Sequence, residues 1–267
     1  MLTEIIDFHT HDFPDKIAPK TIALLQERSG VTAFRDGTFL SLAEAMQRDG
    51  ISHSILLPVV TKPSQFQTVN EMAAQKNALQ SHILSFGGIH PDQDNYKEAI
   101  DYIVSLGLKG IKLHPAYQGV YADDIRYLRI ISYALEKDLI VSIHAGIDIG
   151  LPEPNYSGVT HIKEMLCKTG GGKIVLAHLG GWKEFDAVEE LLVGENCYFD
   201  TAFVADYISK EQFERIARKH GVAKILFGTD SPWTSQRESA EWILHLSFTE
   251  EEKQMILSGN AKKLLGW

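Results

Sequence analysis

Histidine and aspartate close a series of short apolar runs in this chain. The first run reads Ile5-Ile6-Asp7-Phe8-His9-Thr10-His11. Three more follow the same plan: Ile140-Val141-Ser142-Ile143-His144, Ile174-Val175-Leu176-Ala177-His178 and Ile225-Leu226-Phe227-Gly228-Thr229-Asp230. A fifth, Gly110-Ile111-Lys112-Leu113-His114-Pro115, sets a lysine and a histidine two apart. Side chains of a strand alternate between its faces, so His9 and His11 project together from one strand end. Asp7 shares the strand with His9 and is read as orienting a ligand imidazole through its other nitrogen. A single histidine at a strand end is usually structural. Four strand ends bearing histidine or aspartate, one of them a His-x-His, imply a divalent metal centre, because imidazole and carboxylate are donors that zinc and its neighbours accept.

The elements that must position these groups alternate between short apolar runs and longer amphipathic ones, the signature of βα units around a parallel sheet. Strands are predicted over 4–8, 54–59, 84–89, 109–114, 139–144, 173–178, 197–200 and 224–229. Helices are predicted over 67–81, 96–106, 124–137, 159–169, 184–193 and 210–220. Ser209, with Gln212 three residues on, has the spacing of a helix start. Gly107, Gly170 and Gly221 fall where left-handed residues end helices. Eight strands with intervening helices and no Pro/Gly-rich linker predict one α/β domain over residues 1–267, a (β/α)8 TIM barrel. Every candidate ligand then lies at the C-terminal end of its strand, the face on which such barrels carry their sites. Segment 13–50 is an insertion after the first strand, with helices predicted over 19–28 and 42–48, and is expected to shape the mouth. Further helices over 239–245, 250–257 and 259–265 close the chain, and loop 148–157 follows the fifth strand.

At 267 residues the chain is of ordinary length for such a barrel. A fold of that size buries about three quarters of its extended-chain surface, so its core needs no disulfides. Cys167 and Cys197 sit in no ligand spacing and are expected to be buried, inert thiols. A net charge of −9 with no basic run argues against nucleic-acid and membrane partners, leaving a small-molecule substrate. The chain start lacks a basic segment followed by an apolar one, and no stretch is long enough to span a bilayer, so a soluble cytoplasmic protein is expected.

The ordered set His9-Thr10-His11, His144, His178 and Asp230 resembles the amidohydrolase superfamily of metal-dependent barrels. The surrounding wording is similar to its amidohydrolase-related branch, which holds hydrolases and non-oxidative decarboxylases: Asp7-Phe8-His9-Thr10-His11, Ala177-His178-Leu179-Gly180-Gly181, Gly228-Thr229-Asp230-Ser231-Pro232 and Gly259-Asn260-Ala261. The resemblance spans the chain. It implies His9, His11, His144 and Asp230 as ligands of one catalytic metal, expected to be Zn2+, with Asp230 also accepting a proton. His178 would polarise the attacking water or take its proton. A divalent ion lowers the pKa of bound water toward ~7, which supplies hydroxide near neutral pH. Some superfamily members carboxylate a fourth-strand lysine to bridge two metals, so Lys112 is a candidate for a second metal site. The alternative is an ammonium that binds an anionic substrate. The branch also implies a homodimer.

His114 is expected to contact substrate or support a ligand. His90 ends the third strand and is a candidate substrate contact, as are Tyr117 and Trp182, which would overhang the pocket and stack on a planar group. Three functions compete. Metal-assisted hydrolysis of an amide, ester or lactone leads. Decarboxylation of an aromatic or unsaturated acid uses the same ligands, and a non-catalytic barrel with a structural metal is the remote third.

Overall fold

The computed structural model describes residues 4–267. Its strands are β1 (Ile6–Thr10), β2 (His53–Leu56), β3 (Ile83–Ser85), β4 (Gly87–Gly88), β5 (Gly110–Leu113), β6 (Ile140–Ile143), β7 (Ile174–Leu176), β8 (Tyr198–Asp200) and β9 (Ile225–Leu226). All pair in parallel, in the order β1-β2-β3 and β4-β5-β6-β7-β8-β9. β3 and β4 are halves of one barrel strand, interrupted where Phe86 turns its ring into the barrel interior against Phe8, 5.8 Å away edge to face. Phe86 N still donates to Leu56 O at 2.9 Å. At the other join, Phe8 N donates to Phe227 O at 2.8 Å and Asp230 N to His9 O at 2.8 Å. The fold is thus the (β/α)8 architecture, with regular ladders in two arcs and individual hydrogen bonds across the joins.

Most strands are shorter than predicted, two of them for clear local reasons. β2 ends before Pro58, which has no N–H to give a ladder. Beyond β9, Gly228 N and Thr229 N bond side chains, the Thr201 hydroxyl and the Asp7 carboxylate, each at 3.0 Å.

The helices are α1 (Ala18–Ser29), α2 (Phe39–Asp49), α3 (Phe66–Leu79), α4 (Tyr96–Ser105), α5 (Pro115–Gln118), α6 (Ile125–Glu136), α7 (Val159–Thr169), α8 (Phe185–Leu191), α9 (Lys210–His220), α10 (Gln236–Leu244), α11 (Glu250–Gln254) and α12 (Asn260–Leu265). Ser209 caps α9 by accepting from Gln212 N at 3.1 Å, and Asp124 caps α6 by accepting from Arg126 N at 2.9 Å. Such caps satisfy amides that the first helical turn leaves open. Among the described residues no helix is long and apolar enough to cross a membrane.

Two apolar clusters hold these layers together. The larger fills the space between strands and helices, from Ile111, Val141 and Leu176 to Ile130, Ile162 and Phe213. The smaller lies inside the ring, where Ile6, Phe8, Ile55 and Leu226 meet Leu264 and Leu265 of α12. Asn260 fixes α12 by donating to Ile225 O at 2.7 Å and Val222 O at 2.8 Å. The closing Gly259-Asn260-Ala261 segment is therefore the anchor of the barrel floor, opposite the strand ends. Of the cysteines, Cys197 is buried as expected, but Cys167 is exposed. The inward face of α7 is taken by Ile162, Met165 and Leu166, which turns position 167 to solvent.

The insertion after β1 carries α1 and α2 and is tied to the barrel mouth by Arg35. Its guanidinium donates to Ser231 Oγ at 2.9 Å, to Thr38 O at 3.0 Å and to His11 O. One side chain thereby joins the insertion to the ends of the first and last strands.

Candidate metal centre

The strand ends bring His9, His11 and Asp230 together. His9 Nε2 and His11 Nε2 are 3.1 Å apart, and Asp230 Oδ1 lies 3.0 Å from His11 Nε2 and 3.4 Å from His9 Nε2. The far nitrogens decide what these contacts are. His9 Nδ1 is 2.8 Å from Asp200 Oδ2, and His11 Nδ1 is 2.9 Å from Leu57 O. Both acceptors lack a proton to offer, so each Nδ1 carries the hydrogen and each Nε2 turns a lone pair inward. Two lone pairs and a carboxylate oxygen facing one another repel unless a cation sits among them. Their separations match the ~3.3 Å edge of a tetrahedron with zinc-like bonds. The residues fit a divalent ion.

Burial, with the Lys112 charge behind it, pushes the His9 pKa well below its ordinary value, so the imidazole is neutral as a ligand must be. Burial alone would raise the Asp230 pKa. A proton shared with His11 and charge on the nearby imidazoles would outweigh it and hold the carboxyl at about 2; with lone pairs turned inward, a cation must supply that stabilisation instead. Asp230 (φ 67°) and His178 (φ 56°) both adopt left-handed backbone conformations, a strain that clusters at functional sites.

His144, which the family resemblance places with these three, falls by distance into a second trio. Donor atoms of His114, His144 and Asp148 lie within 4.8 Å of one another. Proximity is not convergence, however. The His114 and His144 rings stack at 4.3 Å with planes 12° apart. An imidazole lone pair lies in its ring plane, so near-parallel stacked rings cannot aim at one ion. We therefore do not read this trio as a second metal site. His144 Nδ1 is 3.1 Å from His178 Nε2, while His178 Nδ1 donates to Ala202 O at 2.9 Å. His178 Nε2 is then an acceptor and His144 Nδ1 its donor, which leaves His144 Nε2 with a buried lone pair and no partner among the described residues. That orphan is a buried ligand atom without a partner, although it does not lie within 4.8 Å of all three atoms of the His9–His11–Asp230 group.

Lys112 is 1% exposed, with Nζ 3.3 Å from His9 Nε2. Burial brings its pKa down to about 8 against the pull of Asp200 and Asp230, so a sizeable fraction of the amine is neutral near pH 8. His114 lies beside it, its Nε2 3.6 Å from Asp148 Oδ2. Tyr117 and Trp182 both line the cavity over the centre. The Tyr117 ring is 4.3 Å from His114, and Trp182 packs its ring edge-on to Tyr207 at 4.9 Å. Gly146 lets the loop after β6 pass against this tryptophan, since a Cβ there would stand 2.1 Å from Trp182 N.

Two expectations need correction. His90 does not line the cavity. Its Nδ1 accepts from Asp92 N at 3.1 Å, so the ring is spent on holding its own turn. Asp7 does not touch the His9 ring. Between Asp7 and Thr10, β1 uses three residues where β2 uses two, from Ser54 to Leu56. That bulge breaks the alternation. Asp7 turns to Thr229 Oγ1 and Gln236 Nε2, at 2.6 and 2.7 Å, while Phe8 and His9 both reach the barrel interior. Its role falls to Asp200, which sequence reasoning missed. Asp200 Oδ1 also accepts from His178 N at 2.9 Å, so one carboxylate positions two histidines. The signal was present: Asp200 ends the seventh predicted strand just as Asp230 ends the eighth. Asp148 was missed too, because it lies four residues past His144 in a loop without periodicity.

The family model described as amidohydrolase matches residues 6–267. The chain belongs to the amidohydrolase family. Among curated protein sequences none matches. Solved structures with the same fold include a TIM-barrel protein from Bordetella bronchiseptica, at TM-score 0.77 and 18% identity over 98% of both chains. A 5-carboxyvanillate decarboxylase from Sphingomonas paucimobilis aligns at TM-score 0.74 and 16% identity over 99% of both chains. A 5-carboxyvanillate decarboxylase from Novosphingobium aromaticivorans, solved with bound manganese, aligns at TM-score 0.72 and 15% identity, covering 99% of this chain and 97% of the other. At these identities the likeness carries the fold, and the reaction rests on the residues of this amidohydrolase-family chain.

Proposed function

We propose that this amidohydrolase-family protein is a metal-dependent hydrolase that cleaves an amide, ester or lactone bond of a small molecule. The observation that carries the reading is the convergence of His9 Nε2, His11 Nε2 and Asp230 Oδ1 at 3.0–3.4 Å, with lone pairs inward. His9, His11 and Asp230 would hold the ion, with His144 Nε2 as the candidate fourth donor. Zinc suits imidazole and carboxylate, and the manganese of the Novosphingobium decarboxylase makes manganese the alternative occupant. When bound, a divalent cation here polarises a substrate carbonyl and eases deprotonation of water. The chain's own residues do the rest. Asp200 holds His9 in its tautomer. His178, with its Nδ1–H fixed by Ala202 O, rests its Nε2 lone pair on His144 Nδ1–H; released from that contact, Nε2 would take a proton from water and hand it on to the leaving group. Tyr117 and Trp182 wall the space in which the scissile group lies.

Non-oxidative decarboxylation is the second reading, favoured by those aromatic walls and by Lys112 beside His9, which suit a planar acid. It needs a cation free to grip a carboxylate. Lys76, the other lysine on the cavity wall, is already bound to Asp12 at 2.6 and 2.8 Å. Turnover in ¹⁸O-water separates the two readings. Hydrolysis puts the label into product, and carbon dioxide released from an aromatic acid faster than any lactone or amide turns over would overturn the proposal.

A further inference from the structure

The donor cluster occupies only the floor of a cavity of about 650 Å3. Above it the wall changes character. Ile17 just before α1, Leu25 of α1, Val69 and Met72 of α3, and Ile147 and Ile149 of the loop after β6 line the same space, interspersed with the uncharged Thr21, Gln65 and Thr68. The cations among its lining residues are Lys112, buried on the floor, and Lys76, neutralised by Asp12. An apolar concavity of this size is a ligand groove rather than ordinary surface. Its walls come chiefly from the insertion and from α3, with the loop after β6 closing one side, so most of them are built separately from the reacting centre.

We propose that this upper chamber takes an uncharged alkyl or acyl chain, so that the substrate is a hydrolysable polar head on an apolar tail rather than a compact polar metabolite. The head rests on the metal reading given above; the tail does not. With the head at the donor cluster, the chain runs between α1 and α3. Each methylene entering the chamber leaves water, and affinity should rise by about fourfold per methylene until the chamber is full.

Straight-chain hydroxamates from acetyl to octanoyl, titrated calorimetrically into zinc-loaded protein, test this beside the matching primary amides on chelated protein. The expected result is a steady gain with chain length in both series, with hydroxamates binding more tightly throughout. Hydroxamates that bind with affinity independent of length would overturn the chamber while leaving the metal centre standing. Equal affinities in the two series with the same gain would keep the chamber and sink the metal reading. Absence of binding in both overturns both. Met72→Trp, checked for folding by circular dichroism, should cut the ratio of octanoyl to acetyl affinity by about tenfold, the worth of one to two methylenes. An unchanged ratio in the folded variant counts against the chamber.

Discussion

A single carboxylate outside the donor set governs the orientation of the centre. Asp200 accepts from His9 Nδ1 at 2.8 Å and from the His178 amide at 2.9 Å, with its side chain fully buried. Asp200→Asn removes the acceptor that pins the His9 tautomer, and metal affinity should weaken by about 10–100-fold. Competition against a chelator measures this; unchanged affinity in a folded variant would mean that His9 is held by other contacts. His178 makes a different demand. Its Nε2 meets His144 Nδ1 rather than the His9–His11–Asp230 group, so His178→Asn should keep its metal and lose about 10²–10⁴ in turnover. Loss of the metal instead would make His178 a ligand. Lys112 decides stoichiometry. A single site predicts about one metal per chain in both the native protein and Lys112→Met, whereas a carboxylated lysine predicts about two, falling to one in the variant.

At the scale of elements, the helix ends and strand positions were legible because caps, apolar periodicity and strand-end polar groups are local signals. Ser209 caps α9 as the spacing indicates, and α7 and α9 carry their predicted bounds. What sequence could not show was set by contacts between elements. The bulge in β1 depends on its pairing with β2, and it alone moves Asp7 off the face that His9 uses. His220, the last residue of α9, is a buried clamp between α9 and β8. Its Nδ1 accepts from Gly194 N at 3.1 Å, its Nε2 donates to Cys197 O at 3.0 Å, and its ring stacks on Phe199 at 3.9 Å. Burial lowers its pKa below the ordinary 6.5. Protonation would abolish the Gly194 bond, so the unfolded chain takes up the proton first as pH falls. The contribution of His220 to stability is therefore complete above pH 6.5 and is lost as pH drops below it. Denaturant unfolding at pH 7.5 and pH 5.5 should show a smaller drop for His220→Phe than for the native protein; parallel drops would remove His220 from the acid response. Thiol titration checks the same packing. Cys197, pushed up to about 12 by burial, should stay unreactive until the protein unfolds, while Cys167 reacts at once.

Over the whole molecule, the proposed ion would sit where the ring of strands is least continuous. β1 and β9 share no ladder, and three backbone bonds cross between their ends: Phe8 N to Phe227 O at 2.8 Å, Asp230 N to His9 O at 2.8 Å and His11 N to Ser231 O at 2.7 Å. His9 and His11 come from the first strand and Asp230 from just past the last, so an ion held by the three ties the chain's two ends into one ring. The unfolded chain has no such site, so binding free energy adds to folding free energy. At a free metal concentration a hundredfold above Kd the gain is about 2.7 kcal/mol. For a domain of this size each kcal/mol moves Tm by roughly 2–4 °C, so chelation should lower Tm by roughly 5–10 °C. Readdition of zinc should restore it in a concentration-dependent way. His9→Ala/His11→Ala should melt at one temperature whether or not metal is present, because the first-strand side of the seam has lost its donors. A native protein whose Tm ignores both chelator and metal would show that no ion binds the folded state at this seam. The convergence of lone pairs would then have to be relieved by a proton.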